Sequence, residues 1–267
     1  MSPQIAVLGC GTMAGAIVSG LLAAGTDPSR IVATARSSAT RQRVAETLGV
    51  AALTDNRKAV RGADIVLIGV KPAMAAAVAS EIAEDLDRQA VVISIAAGVT
   101  TQTLQAALAP SGGRPVVRVM PNTPVKVGRG TFIVSPAAGA EQAGEQVIAL
   151  LDPLGTVVEV PEKLHDAATA ISGSGPAYVF LVAEAMIDAG VAMGVPRAQA
   201  TELTVATLAG SAELMASSGE HPAVLRGAVT SPGGTTAAAL DQLESHGLRT
   251  AFARALEACR DKAARLS

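Results

Sequence analysis

The chain has 267 residues and a formal net charge of −2, so it is long enough for one large domain or two ordinary ones, and its charge balance argues against nucleic-acid partners. Hydrophobic residues make up 49% of it and aromatic ones only 1%, so the core must be built from Ala, Val, Leu, Ile and Met, with helices packed closely through small side chains. Cys10 and Cys259 sit far apart in apolar patterns, which fits free thiols in a reduced, cytoplasmic protein better than a disulfide scaffold.

Residues 5–25 carry no charge and are long enough to suggest a membrane span or signal peptide. The four preceding residues carry no positive charge, and glycines cluster where a span should be most apolar. The stretch therefore reads as a buried strand followed by a buried helix, and no membrane association is expected. At their junction stands Gly9-Cys10-Gly11-Thr12-Met13-Ala14, a GxGxxG/A dinucleotide fingerprint in its required strand-to-helix context. Gly9 permits the tight turn, Gly11 lets a pyrophosphate approach the backbone, and Ala14 keeps the helix near the strand. Gly9, Gly11, Thr12 and Met13 are accordingly candidate cofactor residues.

The next strand-like run ends in Ala33-Thr34-Ala35-Arg36-Ser37, where an NAD-preferring site usually has an acid for the ribose hydroxyls. Arg36 and Ser37 suit a 2′-phosphate instead, so NADP(H) is the expected preference, with NAD(H) as the alternative. Further short Val/Ile-rich runs at 65–70, 91–95, 116–119, 132–134 and 157–160 alternate with Ala-rich helical patterns, which predicts crossover units on a parallel sheet. Ligands in such sheets bind beyond the carboxyl ends of the strands. There stand Val70-Lys71-Pro72, Ala96-Ala97-Gly98 and the rigid polar turn Met120-Pro121-Asn122-Thr123-Pro124.

After Glu162 the strand-like runs stop. The fold class is α/β, with a Rossmann-like dinucleotide-binding domain at 1–161 followed by an all-α domain at 162–267 for substrate binding and dimerisation. Leu248, Ala251, Phe252, Ala255, Leu256 and Cys259 share one face at helical spacing, and Leu203, Thr207, Gly210 and Leu214 define another helix. Between 171 and 195 the only charges are Glu184 and Asp188, so that helix is apolar nearly all round and is expected to be buried between subunits. Its start, Ser172-Gly173-Ser174-Gly175-Pro176, is equally consistent with a helix cap and with a cleft floor that a cofactor can approach. His165, His221 and His246 are isolated and read as structural or solvated, and no metal site is expected. Lys126 and Arg129 read as solvated loop charges.

Near the C-terminal end, Ser231-Pro232-Gly233-Gly234-Thr235-Thr236 interrupts the helical pattern, which resumes at Ala237. A helix that starts at glycines presents unpaired N–H groups and two hydroxyls to one spot, a site for a small anion; the alternative is a capped turn between helices.

Together, the fingerprint, Asp55-Asn56, Val70-Lys71-Pro72, the 120–124 turn, Ser172-Gly173-Ser174-Gly175-Pro176-Ala177-Tyr178 and the 231–236 turn resemble the ordered landmarks of the pyrroline-5-carboxylate reductase family over nearly the whole chain. The resemblance implies NAD(P)H-dependent reduction of 1-pyrroline-5-carboxylate to L-proline, the last step of proline biosynthesis, by a homodimer that interleaves C-terminal helices and sometimes builds into a decamer. Position by position, it implies cofactor contacts from Asn56, Val70, Lys71, Pro72, Ala96 and Ala97. Gly233, Gly234, Thr235 and Thr236 would hold the substrate carboxylate, with Ser174 and Tyr178 also in the substrate site. Thr236 is the candidate anchoring residue for catalysis, with Ser231 or Tyr178 as a supporting donor. Arg226-Gly227-Ala228 departs from many relatives, which carry an Asp or Asn there.

The residues bear on rivals too. A β-hydroxyacid dehydrogenase or a ketopantoate-type reductase needs a lysine to polarise a carbonyl, and residues 171–195 contain none. A non-catalytic NADP(H) sensor would have no use for the 231–236 turn. A protonated cyclic imine is already electrophilic, so its reduction needs mainly positioning.

Overall fold

The computed structural model describes residues 3–265, and by packing the chain divides into two compact units. The first runs to Ser174 and takes in the chain from Glu257 onward; the second is Gly175–Leu256.

The first unit alternates β1 (Ile5–Leu8), α1 (Thr12–Ala23), β2 (Ile31–Thr34), α2 (Ser38–Leu48), β3 (Ala51–Leu53), α3 (Asn56–Val60), β4 (Ile65–Ile68), α4 (Pro72–Ile82), β5 (Val91–Ser94), α5 (Thr101–Leu108) and β6 (Val116–Met120). It continues with β7 (Gly130–Pro136), α6 (Glu141–Leu151), β8 (Gly155–Glu159) and α7 (His165–Ser172). The eight strands lie in the order β3-β2-β1-β4-β5-β6-β7-β8. From β3 to β6 every neighbour is parallel, the doubly wound dinucleotide-binding order. All residues of β1, β4 and β5 are buried, as expected of central parallel strands covered on both faces.

Two features differ from the all-parallel sheet of seven strands that the sequence suggests. First, β3 is a three-residue edge strand with exposed first and last residues, and Ala-Ala-Leu carries no strand signal of its own. Second, β7 runs antiparallel to β6, with β8 parallel to β7. The nine residues joining β6 to β7 are too few for a crossover, which takes a dozen or more, so the chain reverses instead. The uncharged stretch 5–25 is β1 and α1, as expected.

Strand character ends at β8, but packing carries the first unit through α7. His165, Thr169 and Ala170 are buried, and the His165 Nδ1 lies 2.8 Å from Ser135 Oγ on β7.

The second unit is helical: α8 (Gly175–Ala192), α9 (Arg197–Ser218), α10 (Pro222–Ala228), α11 (Thr235–Ser245) and the start of α12 (Leu248–Ala264). The pair α8 and α9 closes where Gly190 faces Ala200, one of the unit's few buried residues. No residue of α8 is buried within the chain, and Val179, Phe180, Leu181 and Met186 are exposed. Among the described residues, one helical stretch, Glu162–Ala192, is long and apolar enough to cross a membrane by length and composition. An apolar helix left this exposed along most of its surface needs a further covering surface.

Candidate active site

The cofactor candidates gather at the carboxyl edge of the parallel sheet. Gly9 has φ +82°, and a Cβ there would lie 2.6 Å from Val70 Cγ1, so only glycine makes this turn. Its N–H donates to Thr34 Oγ1 at 3.1 Å, and the Cys10 N–H donates to the Thr34 carbonyl at 2.8 Å, locking the turn to the end of β2. Gly11 caps α1 with no side-chain hydrogen bond, and a Cβ there would meet nothing within 4 Å. The space above the first turn of α1 is therefore open to a ligand that the helix N-terminus favours if it is anionic. Ala14 and Gly69 press together, since a Cβ on Gly69 would come within 2.8 Å of the Ala14 methyl. This is the close helix–strand contact that the fingerprint requires.

A cleft of about 280 Å³ collects Gly9, Thr34, Arg36, Asn56 and Val70 beyond the end of β2, where the adenosine half of a dinucleotide lies in this fold. Arg36 is exposed, with its guanidinium resting on the Met74 thioether at 2.7 Å. Ser37 caps α2 by accepting from the Thr40 N–H at 3.1 Å, so its hydroxyl has a structural task beside Arg36. Thr34 donates to Asn56 Oδ1 at 2.7 Å, and Asn56 Nδ2 donates to Glu81 Oε2 at 3.1 Å. Thr34 and Glu81 were not singled out from sequence: their pattern is that of a strand end and a helix surface, and only tertiary contact reveals them.

Lys71 is the N-cap of α4, with Pro72 as its first residue and no side-chain cap. Thr12 is exposed at the start of α1 and Met13 is half-buried against the core. Ala96 is buried and Ala97 half-buried just past β5. All the cofactor candidates thus stand along one edge of one unit.

The Asn122 of the 120–124 turn is buried and ties three segments together: Thr131 N–H donates to its Oδ1 at 2.8 Å, and its Nδ2 donates to the Ser172 carbonyl at 3.1 Å. Deeper on β6, Arg118 is 2% exposed, with Asp166 Oδ1 at 2.6 Å and Glu162 Oε1 at 3.8 Å. Glu162 also accepts from the backbone N–H and the hydroxyl of Thr101. This ion cluster sets the start of α7, and Asn122 sets its end.

His165, expected to be structural or solvated, is wholly buried. Ser135 donates to the Val160 carbonyl, so it must accept from His165 Nδ1–H, which fixes the neutral tautomer. Burial and then the Arg118 charge push its pKa down to about 3. His165 Nε2, an acceptor in that tautomer, and the Arg118 Nε–H donor are both buried without a partner.

The substrate candidates divide between the units. Ser174, in the first, places its hydroxyl 3.1 Å from the Cys259 thiol. In the second, Tyr178 meets Phe252 edge-on, ring centroids 6.5 Å apart. The 231–236 turn closes with the Gly234 N–H donating to the Ser231 carbonyl at 3.0 Å. Gly233 has φ +69°, and a Cβ on Gly234 would strike Ser231 Oγ. Gly234 is the N-cap of α11 and makes no side-chain cap hydrogen bond, so the first N–H groups at Thr235 and Thr236 keep their anion-binding character. Ser231 and Thr235 are exposed and Thr236 is half-buried. His221 caps α10 and His246 lies 2.8 Å from the Gln242 carbonyl, so both are held locally. Cys10 and Cys259 are free thiols, and burial raises the pKa of Cys10.

The doubly wound sheet, the open glycine-capped α1 and the cleft beyond β2 are those of a Rossmann-type dinucleotide-binding protein. A family model described as pyrroline-5-carboxylate reductase dimerisation matches residues 162–266, and one described as NADP oxidoreductase, coenzyme F420-dependent, matches residues 4–98. The chain is 47% identical to the pyrroline-5-carboxylate reductase of Corynebacterium melassecola, over 98% of both chains. Among solved structures it is similar to a pyrroline-5-carboxylate reductase from Coxiella burnetii (36% identity, TM-score 0.92, covering 100% of this chain and 99% of that one). It also resembles the Plasmodium falciparum pyrroline carboxylate reductase with NADP bound (31% identity, TM-score 0.88, 99% and 98% covered). The chain belongs to the pyrroline-5-carboxylate reductase family. The dimerisation model supports a homodimer, and the residues it matches include the exposed apolar helix α8.

Proposed function

We infer that this chain reduces 1-pyrroline-5-carboxylate to L-proline with NAD(P)H, completing proline biosynthesis. The observation that carries the residue-level reading is the start of α11, a glycine-capped helix terminus with no side-chain cap and two adjacent threonines. It gives a carboxylate fixed backbone donors and a favourable dipole without a desolvated lysine. Gly233 and Gly234 shape the turn, and Thr235 and Thr236 supply donors. Thr236 is the half-buried member of the pair and anchors the substrate; Ser231 supports the turn from its other side. Ser174 and Tyr178 are assigned to the substrate site on the family resemblance.

The cofactor fits the residues present. Open space above Gly11 admits a pyrophosphate, with Thr12 and Met13 N–H groups at the head of α1. Arg36 would meet a 2′-phosphate, Ser37 would order the adjoining turn, and Asn56, Val70, Lys71, Pro72, Ala96 and Ala97 would line the remaining length. When bound, the reduced nicotinamide supplies the hydride for the imine carbon. Protonation of the imine nitrogen makes that carbon electrophilic, so the protein's contribution is orientation and charge complementarity at the carboxylate. By function the chain divides at about residue 161, with nucleotide binding before it and substrate binding and dimerisation after it.

Two free thiols are consistent with a reducing cytoplasm, where we place the protein. Assembly beyond the dimer, such as a decamer, is proposed on the resemblance alone; light scattering of the purified protein reads it directly. The function is tested by following nicotinamide absorbance with 1-pyrroline-5-carboxylate, NADPH and NADH in parallel assays. Oxidation that depends on the imine and yields proline is expected. Binding of NADPH without any turnover of the imine would overturn the reading.

A further inference from the structure

The end of β2 lacks the acidic residue that takes the ribose hydroxyls of NAD, having Arg36 instead. Yet the cleft beyond that strand contains a carboxylate. Glu81, near the end of α4, lines the same cleft of about 280 Å³ as Arg36 and accepts a hydrogen bond from Asn56 Nδ2 at 3.1 Å. Asn56 is held from its other side by the buried Thr34 hydroxyl, which in turn holds the Gly9 N–H. An unbroken chain of hydrogen bonds thus runs from the fingerprint turn to Glu81.

Among the described residues, Arg36 and Glu81 are the only charged side chains lining this cleft, and their charges balance. A 2′-phosphate entering it gains from Arg36 and is opposed by Glu81; a ribose 2′-hydroxyl can donate to the carboxylate instead. One Glu81 oxygen is engaged by Asn56, and an ionised carboxylate has further acceptor sites.

We propose that Glu81 is a specificity-determining residue: its carboxylate, delivered from α4 in place of the missing acid on β2, restrains the preference for NADP(H) and keeps NAD(H) usable. It acts in two ways, by charge toward the 2′ position and by orienting Asn56. The proposal rests on the reading of this cleft as the adenosine end of the cofactor site.

The test compares wild type, Glu81→Gln and Glu81→Ala. Glu81→Gln removes the charge but keeps an acceptor for Asn56, whereas Glu81→Ala removes both. The readouts are kcat/KM for NADPH and NADH with the imine, and dissociation constants by calorimetry for ADP-ribose and its 2′-phosphorylated form. In Glu81→Gln the NADPH-to-NADH ratio of kcat/KM should rise about three- to tenfold, through both tighter NADPH and weaker NADH, and the rise should shrink at high salt. The two ADP-ribose forms should shift in the same sense. A ratio that moves less than twofold or falls overturns the proposal. So does an equal rise in Glu81→Gln at low and high salt, because charge would then not be its cause. The calorimetric arm needs no turnover, so it judges Glu81 even if imine reduction is not found, a failure that belongs to the functional reading.

Discussion

Truncating Asp166 to Ala should destabilise the protein more than replacing Arg118 with Met, although both break the same ion pair. The reason is the asymmetry of burial: the Arg118 side chain is 3% exposed, against 24% for Asp166 and 28% for Glu162. Asp166→Ala leaves a guanidinium inside the protein with one carboxylate at 3.8 Å and an Nε–H already unpartnered. Removing one partner of a fully buried pair costs about 3–5 kcal/mol; partial exposure of Asp166 and the retained Glu162 reduce this to about 2–3 kcal/mol. Arg118→Met keeps the apolar stem, removes the charge and leaves two carboxylates that water can reach, for about 0–1.5 kcal/mol. At roughly 2–4 °C per kcal/mol, Asp166→Ala should lower Tm by about 4–12 °C. The assay is thermal and urea unfolding of both single variants and the double variant. The double variant should resemble Arg118→Met, because without the guanidinium there is no stranded charge. If Arg118→Met proves as costly as Asp166→Ala, or the two effects add, the stranded-charge argument is wrong.

His165 supplies a pH prediction. Its folded pKa, about 3, lies below the ordinary 6.5, so its contribution is fully present above pH 6.5 and is lost as pH falls from there toward 3. The slope should be about 1.4 kcal/mol per pH unit, and His165→Asn should flatten it between pH 6 and 4.5 in urea titrations; an unchanged slope would sink the assignment. The fingerprint glycines should separate stability from binding. Gly9→Ala, at φ +82° and blocked by Val70, should cost about 1–3 kcal/mol, while Gly11→Ala should leave Tm unchanged without nucleotide yet raise KM for NADPH. The reverse pattern would contradict the assigned roles. Thr236→Val should raise KM for the imine about tenfold, with NADPH affinity unaltered; normal turnover and normal substrate affinity in that variant would remove Thr236 from the mechanism.

Local sequence reached the recurrent features of the fold because each has its own chemistry. Gly9, Gly11 and Ala14 report the strand-to-helix turn by the space they leave, the Val/Ile runs report central strands by being apolar on both faces, and Gly233-Gly234 reports a helix start by stopping the previous helix. The edge strand β3 escaped because Ala51–Leu53 is extended only by pairing with β2. The reversal at β7 escaped because strand direction is set by the length and path of a connection, which composition does not display. Among the candidate site residues, Arg36 is legible as a cation where an acid is expected, whereas Glu81 looks like any exposed helix residue until α4 packs beside α3.

The sequence by itself determined the family, the doubly wound half, the helical half and the two glycine turns, since these depend on residues adjacent in the chain. Only the tertiary structure decided that Thr34, Asn56 and Glu81 form one hydrogen-bonded line, that Arg118 is buried between Glu162 and Asp166, and that His165 is neutral. Those properties depend on which distant residues exclude water from one another, and desolvation is a property of the packed chain.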